Sequence, residues 1–333
     1  MSVRSVLGLL LSAFATLAQG CIFHSSFEDS DMASQLILAY GGYTYSSYTI
    51  GGSAAGAAFL SDTAALGDGR PSTVTRCQFV NGPVTSASTV RIGVTINTQD
   101  GSNPELGVIA ALNLSLPVGT VMRVYDAASY PAPGSLIGAT TLQQNNTGIV
   151  SGWVVPNDNV QSNAVFVEFV NNTGLITANE EFTVGDIFAG KASYWLMKRD
   201  AKMGFLDTGK TRFAASGASY RTPQPPIRTA NFTINAVQTS GFTGPITQKQ
   251  AFVTDTTQID LASLCNEIFK AQVIGFVPWT NYDPATYGHT ASKSTPQIVC
   301  KTAFLAGLSN EPSITSPNND QFYEMSMELL ESI

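Results

Sequence analysis

Charged side chains are scarce in this sequence. Only 12% of its 333 residues are Asp, Glu, Lys or Arg, whereas about 25% is usual. The net formal charge is −7, and no run of Lys or Arg could follow a nucleic-acid backbone. These shortages argue against nucleic acid as a partner. They also predict a neutral surface, which suits a secreted protein or one that lies against neighbouring subunits.

Cysteine is rare as well. The four cysteines are Cys21, Cys77, Cys265 and Cys300, and none of them forms a C-x-x-C pair. A zinc or iron–sulfur site therefore has no local support. We expect four separate buried thiols, and a single disulfide between Cys265 and Cys300 stays open as the alternative.

Only two histidines are available for catalysis. A Ser–His–Asp triad would need His24 or His289, and the chain has no G-x-S-x-G elbow. His289 is typical of a surface loop. His24 with Glu28 and Asp29 could hold a metal ion, but nothing else in the sequence supports such a site. We therefore expect no enzymatic activity, no cofactor and no metal.

Carboxylates are too scattered to indicate acid–base chemistry. Glu180, Glu181 and Asp186 come closest to a pair, but adjacent residues on a strand point to opposite faces. We expect all three to be solvated loop charges. Asp68–Gly69, just before Arg70 and a proline, predicts a turn.

One long apolar run stands at the N-terminus. Residues 1–21 contain a basic residue, an apolar stretch and small residues before Cys21, which is typical of a secretory signal peptide. As a lipoprotein signal the segment is poor, because Leu17 lies one place too far from Cys21 and Gln19 is bulky. The alternative is an uncleaved assembly helix covered by a neighbour. No later apolar run reaches the ~20 residues of a membrane span.

A two-residue period dominates residues 22–190 and predicts a β-sandwich of jelly-roll type. We expect Val108–Leu116 and Met122–Tyr125 to pair as a hairpin across the turn at Pro117–Thr120. The clearest of the alternating runs are Val90–Ile96, Val108–Leu116, Met122–Tyr125 and Val165–Val170.

Residues 191–333 predict an α+β unit in which a β-sandwich is flanked by one helix. Ile227–Val237 alternates as a strand. Thr257–Gln272 carries apolar residues at the 3.6-residue spacing of a helix. Val273–Val277 is typical of a buried strand, and Tyr323–Leu329 alternates again. The fold class is therefore mainly β.

The sharpest motif is GFLDTGKT at residues 204–211. Gly204, Gly209, Lys210 and Thr211 match the phosphate-loop pattern G-x-x-x-x-G-K-[ST] at every fixed position. A working loop joins a buried strand to a helix, whose N-terminus then faces the phosphates. Here charged residues precede the motif, prolines follow it, and no later apolar run ends in Asp to hold magnesium. We interpret the match as a spurious one, formed by a β-turn around Asp207 with Lys210 in solvent.

The C-terminal half resembles the tail-tube and distal-tail proteins of long-tailed bacteriophages, in which a β-sandwich is flanked by one helix. The strand–helix–strand order and the closing segment Phe322–Glu331 carry this resemblance. The strands of the other half, such as Ile109–Gly119 after the turn at Gly67–Pro71, are similar to the jelly-roll-like sandwiches of tail proteins.

The resemblance implies a non-enzymatic virion component that forms or decorates a ring at the tail tip. Its partners would be copies of itself and other tail proteins, with cell-surface glycan as a further partner. The alternative is a secreted or lipid-anchored carbohydrate-binding protein. That alternative rests on the signal-like segment and on the tyrosines Tyr40, Tyr43, Tyr45 and Tyr48, which could form a binding surface.

Replacing Lys210 by Ala tests the phosphate-loop interpretation. We expect no loss of ATP or GTP binding, because the parent should bind neither nucleotide measurably. Equilibrium dialysis with Mg²⁺ and each labelled nucleotide measures this. Saturable binding by the parent that Lys210→Ala abolishes would overturn the interpretation.

Overall fold

A computed structural model describes most of the chain from residue 35 onward. The described residues are 35–41, 43–52, 57–79, 88–98, 102–126, 134–145, 147–156, 160–172, 180–197, 201–207, 209–213, 219–222, 226–238, 261–271, 273–279, 296–315 and 322–332.

The chain is mainly β, as its sequence predicts. Within the described residues, two α-helices and one 3-10 helix, Ala64–Gly67, interrupt the strands. The helices are α1 (Leu261–Lys270) and α2 (Pro296–Thr302). The strands are β1 (Gln35–Tyr40), β2 (Thr44–Gly52), β3 (Ala57–Phe59), β4 (Thr75–Phe79), β5 (Thr89–Asn97), β6 (Glu105–Leu106), β7 (Val108–Leu112), β8 (Val121–Tyr125), β9 (Leu136–Thr141), β10 (Gln143–Gln144), β11 (Val150–Val154), β12 (Val160–Gln161), β13 (Ala164–Val170), β14 (Glu181–Val184), β15 (Asp186–Leu196), β16 (Lys202–Leu206), β17 (Lys210–Phe213), β18 (Ser219–Thr222), β19 (Ile227–Gln238), β20 (Ile274–Trp279), β21 (Phe304–Leu308), β22 (Ser313–Thr315) and β23 (Phe322–Glu331).

One large sheet runs through the described structure. Its strand order is β10-β11-β7-β15-β1-β20-β21-β23-β19-β16, with β22 beside β23. A five-stranded sheet has the order β2-β5-β13-β8-β9, and a three-stranded sheet has the order β14-β4-β3. The ladders are antiparallel, which allows the chain to join many of them by short connections.

The first core lies between the five-stranded sheet and part of the large sheet. Apolar residues at alternate positions of β5 and β13 pack against the inward residues of β7 and β15. The pattern on β5 is regular because Val90, Ile92, Val94 and Ile96 all point inward and are buried. Two sheets packed face to face form a sandwich.

The two other cores lie on opposite faces of β1. Leu36 and Leu38 join a core covered by α1, whose Leu264 and Ile268 are buried. The intervening residues Ile37 and Ala39 join a third core with α2 and β7. Because side chains alternate along a strand, each face of β1 supplies a different core.

The large sheet crosses the division that we predict at residue 190. That position lies inside β15, whose first half pairs with β7 and whose second half pairs with β1. On its other edge β1 pairs with β20, with Ile37 opposite Val277. Strands from both sequence halves therefore belong to one continuous sheet.

The predicted hairpin between Val108–Leu116 and Met122–Tyr125 is wrong. β7 pairs with β11 and β15 in the large sheet, whereas β8 pairs with β13 and β9 in the five-stranded sheet. Every residue of β7 is buried, so this strand needs a sheet interior that packs on both faces. The strand ends at Leu112, the next residue, Asn113, has a φ of +51°, and the chain then crosses to the other sheet.

The helices differ from expectation in number and length. α1 spans Leu261–Lys270, and the first residues of the predicted helix, 257–260, lie outside the described part. Of its predicted apolar stripe, Leu264 and Ile268 are buried, whereas Phe269 is exposed. α2 is a second helix that the periodicity did not predict, because seven residues are too few to establish a 3.6-residue repeat.

A buried ion pair fastens β19 to β23. Glu331 accepts hydrogen bonds from the backbone N–H of Arg228 at 2.8 Å and from its Nε at 2.9 Å. The same guanidinium donates to the carbonyl of Ala303 at 2.9 Å and lies 4.8 Å from the ring centre of Phe304. All three nitrogens of the guanidinium donate a hydrogen bond, and both oxygens of the buried carboxylate accept one.

Removing the acid of this pair should destabilise the fold strongly. The side chains of Arg228 and Glu331 are 11% and 2% exposed, so Glu331→Ala leaves a buried cation. We expect a loss of about 3–5 kcal/mol in the free energy of unfolding, measured by urea denaturation. Glu181→Ala is the control, because it breaks an exposed pair with Arg76 and should cost less than about 1 kcal/mol. Equal losses from the two variants would contradict this account.

Candidate functional site

The GFLDTGKT segment forms two strands and the turn between them. Gly204 lies on β16, and Lys210 and Thr211 begin β17. The turn is closed by Asp207, whose Oδ1 accepts the N–H of Gly209 at 2.8 Å. A strand follows Lys210, paired with β18. The backbone therefore lacks the strand-to-helix geometry that gathers N–H groups around a phosphate.

β16 is an edge strand with an apolar surface. Among the described residues it pairs on one side only, with β19, and it ends the large sheet. Met203, Phe205 and Leu206 are 56%, 55% and 48% exposed. At Gly204 a Cβ would meet only the Thr229 hydroxyl, at 3.5 Å, so the surface there is open. Natural edges usually carry charges, prolines or bulges that block pairing, but here the charge is confined to Lys202 at the start of the strand.

The tyrosine-rich stretch packs inward. Tyr40 is 1% exposed in the second core, and Tyr43, Tyr45 and Tyr48 pack against the first core. The hydroxyl of Tyr45 accepts the N–H of Ala189 at 2.9 Å. These rings stabilise the sandwich, and they do not form the exposed aromatic platform that the carbohydrate-binding alternative needs.

A buried acidic cluster forms where β15 begins. Asp186 is 2% exposed, and its carboxylate accepts the backbone N–H groups of Ile187 and Gly69. Burial raises the pKa of Asp186 to about 7, and the negative charge of Asp68 adds to this rise. The cluster corrects our expectation that Asp186 is a solvated loop charge. The pairing of Asp68 with Asp186 could not be predicted from the sequence, because the two residues are brought together only by the packing of the loop on β15.

Two tyrosines of β2 complete this acidic cluster. Burial raises the pKa of Tyr45 and of Tyr48, and the charge of Asp186 raises both further. A neutral carboxyl beside a second acid is also the arrangement of acid–base pairs in enzymes. Asp186 is nevertheless buried, so a substrate could not reach it in this conformation.

The loop that carries Asp68 is tied to distant parts of the chain. The Gly69 carbonyl accepts a hydrogen bond from the Ser332 hydroxyl at 2.7 Å, next to the end of β23. The Pro71 carbonyl accepts one from Asn113 Nδ2 at 2.7 Å. Gly69 has a φ of +69°, which supports the turn predicted from Asp-Gly before Pro. The loop thus connects the sandwich to the last strand.

The described cysteines are free. Cys77 and Cys300 are buried, and Cys265 is half-buried. Cys265 packs beside the second core and Cys300 lies in the third, so the large sheet separates the two thiols. The alternative of a disulfide between them is therefore not realised.

The remaining candidates are dispersed or fall outside the description. Glu180 and Glu181 are exposed, and Glu181 pairs with Arg76. Residues 1–21 and the candidates His24, Glu28, Asp29 and His289 lie outside the described residues.

The part of the chain that the structure describes contains neither a metal-binding cluster nor a membrane-spanning helix. No three His, Cys, Asp or Glu side chains lie together in a way that could hold a metal ion. No described helix has the length and apolar character required to cross a membrane.

Comparison with known proteins found no protein-family model that matches the chain and no match among curated proteins.

The acidic cluster predicts a stability that falls as the pH rises. Asp186 has a higher pKa in the folded chain, about 7, than the ordinary 3.8, so the folded state binds its proton more tightly. This stabilisation is complete below about pH 4 and is lost by about 1.4 kcal/mol per pH unit up to pH 7. Urea denaturation across this range should show the parent losing stability relative to Asp186→Asn.

Asp68→Asn serves as the second variant for this test. It removes the negative charge that helps to raise the pKa of Asp186. The pKa of Asp186 in the folded chain should then lie closer to its ordinary value, so stability should fall over a narrower pH range. A parent that gains stability over Asp186→Asn between pH 4 and 7 would show that the fold favours the ionised carboxylate, contrary to this account.

Proposed function

We propose that the chain is a non-enzymatic structural subunit that assembles with copies of itself. We further propose that the assembly is a ring at the tail tip of a long-tailed bacteriophage. The observation that carries the first proposal is the apolar edge strand β16, which pairs on one side only among the described residues and exposes Met203, Phe205 and Leu206.

An uncovered strand edge has two unfavourable properties in a monomer. Its outward N–H and C=O groups form no ladder, and its large apolar side chains stay in water. A strand from a neighbouring subunit would satisfy the backbone groups and cover Met203 and Phe205 together, because residues two apart share a face. A second copy of this chain is the occupant to which we commit.

The surface chemistry supports self-association over binding of a charged partner. Only 12% of residues are charged, so identical surfaces can meet with little like-charge repulsion. The exposed face of β16 carries no acidic residue that would select a basic partner. The opposite edge of the large sheet, β10, is only two residues long and offers a much shorter ladder.

The placement in a phage tail draws on the resemblance of the C-terminal half to tail-tube and distal-tail proteins and on the neutral, β-rich character of the chain. The secreted carbohydrate-binding alternative relied in part on the tyrosine stretch as its binding surface, and that stretch packs against the core. Electron microscopy of particles that contain the chain would test the placement directly.

The double variant Met203→Lys/Phe205→Lys tests the assembly edge. Two lysines on one face of β16 should repel the same two lysines of the neighbouring subunit. They should therefore prevent another strand from pairing with this edge. We expect the dissociation constant of the assembly to rise by about tenfold or more. Light scattering after size-exclusion chromatography measures the mass, and circular dichroism verifies that the fold persists.

Leu136→Lys is the matched control for this experiment. Leu136 is also 55% exposed and also lies on an edge strand, β9 of the five-stranded sheet. It should leave the assembly unchanged. A parent that is strictly monomeric, or an assembly disrupted by Leu136→Lys and not by the double variant, would rule out β16 as the contact.

A further inference from the structure

A polar cleft lies where helix α1 meets the sandwich. Its volume is about 540 Å³, within the range of about 300–1,000 Å³ that small-ligand sites occupy. Strands β6, β12 and β15, helix α1, Tyr43 before β2 and residues of the segment between β5 and β6 contribute to its walls, and most of the side chains are polar. The charged and amide side chains of the lining on these strands and α1 are Glu105, Gln161, Lys191, Glu267 and Lys270.

Two ion pairs line this cleft. Lys191 on β15 lies 2.6 Å from the Glu105 carboxylate on β6. On α1, Lys270 lies 3.3 Å from Glu267, one helical turn away. Two acids and two bases give the lining a formal charge of zero. The cleft therefore has no net field to concentrate either an anion or a cation.

The ion-paired groups still have hydrogen bonds to offer. A carboxylate has about four acceptor positions and a lysine ammonium has three donors, so one partner uses only part of that capacity. The four charged side chains are between about 28% and 51% exposed. The Glu105 oxygen that faces Lys191 is buried, so Lys191, Glu267 and Lys270 are the charged groups most accessible to a ligand. Gln161, opposite Glu105 in the β6–β12 ladder, adds an exposed amide with both donor and acceptor atoms.

The backbone of the cleft wall is held in place. The hydroxyl of Tyr43 donates to the Glu105 carbonyl at 2.9 Å, and Glu105 and Gln161 are paired across β6 and β12. Polar groups on strands are placed more accurately than groups on free loops, which favours recognition of a defined pattern of hydroxyls.

We infer that this cleft binds a neutral saccharide. A sugar presents closely spaced hydroxyls, each both donor and acceptor, to which alternating carboxylates, ammonium groups and an amide are complementary. Because the charges of the lining cancel, neither a phosphate nor a metal ion gains a net attraction there. An apolar ligand would strip water from charged groups without replacing their hydrogen bonds. The site shares no residue with the assembly edge, so the inference does not depend on the proposed function.

This inference is tested by saturation-transfer NMR and calorimetry. The ligands are neutral disaccharides of glucose, of galactose and of N-acetylglucosamine. We expect at least one of them to bind the parent. Glu267→Gln and Gln161→Ala each remove hydrogen bonds from an exposed side chain, so both should weaken binding by about tenfold or more. Asn266→Ala, at an exposed neighbour on α1 outside the cleft lining, should bind like the parent.

Charge reversal gives an independent measurement. Glu267→Lys changes the lining from two acids and two bases to one acid and three bases. It should lose the neutral sugar and gain affinity for inorganic phosphate, which the parent should not bind. The measurement is repeated in the Met203→Lys/Phe205→Lys background, so that failure of assembly and failure of sugar binding are observed separately.

Several results would overturn the inference. These are the absence of binding by every neutral disaccharide, tighter binding of phosphate than of sugar by the parent, and unchanged sugar affinity in both Glu267→Gln and Gln161→Ala. A second arm of the experiment measures the binding of a neutral polymer such as dextran. Tighter binding of the polymer than of its disaccharide would indicate a surface glycan as the source, and equal binding would indicate a free sugar; both support a saccharide site.

Discussion

The pairing of β1 on both of its edges is the constraint on which the described architecture depends. This six-residue strand lies between β15 and β20, and so it joins strands from the two sequence halves into one sheet. Its alternating side chains also enter two separate cores, one under α1 and one under α2. A polar residue at Leu36 or Ile37 would therefore disturb packing on one face and strand order along both edges.

The positions of many strands were predictable from the sequence, and the partners of strands with two buried faces were not. The two-residue period identified β5, β7, β13, β19 and β23 as strands, although β7 and most of β13 are buried on both faces. β1 and β7 bury residues on both faces, so their apolar residues follow one another without a polar residue between them. Such a run carries no information about which strands β1 and β7 pair with. For this reason the predicted hairpin between β7 and β8 is wrong. The acidic cluster was equally hidden, since Asp68 and Asp186 meet only through tertiary packing.

The candidate surfaces differ in how they relate to the sequence. Phe205 and Leu206 of β16 belong to the motif GFLDTGKT and Met203 precedes it, but the sequence does not show that the strand ends a sheet. The cleft lined by Glu105 and Glu267 could not be predicted without the fold, because its walls come from α1 and from strands of the sandwich. The proposed saccharide site therefore lies where the two sequence halves meet.

The state of the cysteines has a consequence for where the chain can fold. Burial raises the pKa of the Cys77 thiol to about 12 and raises those of Cys265 and Cys300 as well. A thiol reacts as its thiolate, so these residues oxidise slowly even in air. Their contribution is packing, for example the contact of Cys300 with Thr140 at 3.3 Å. The described fold therefore contains no disulfide that an oxidant must form or a reductant could break, so we expect its stability to be insensitive to the redox potential.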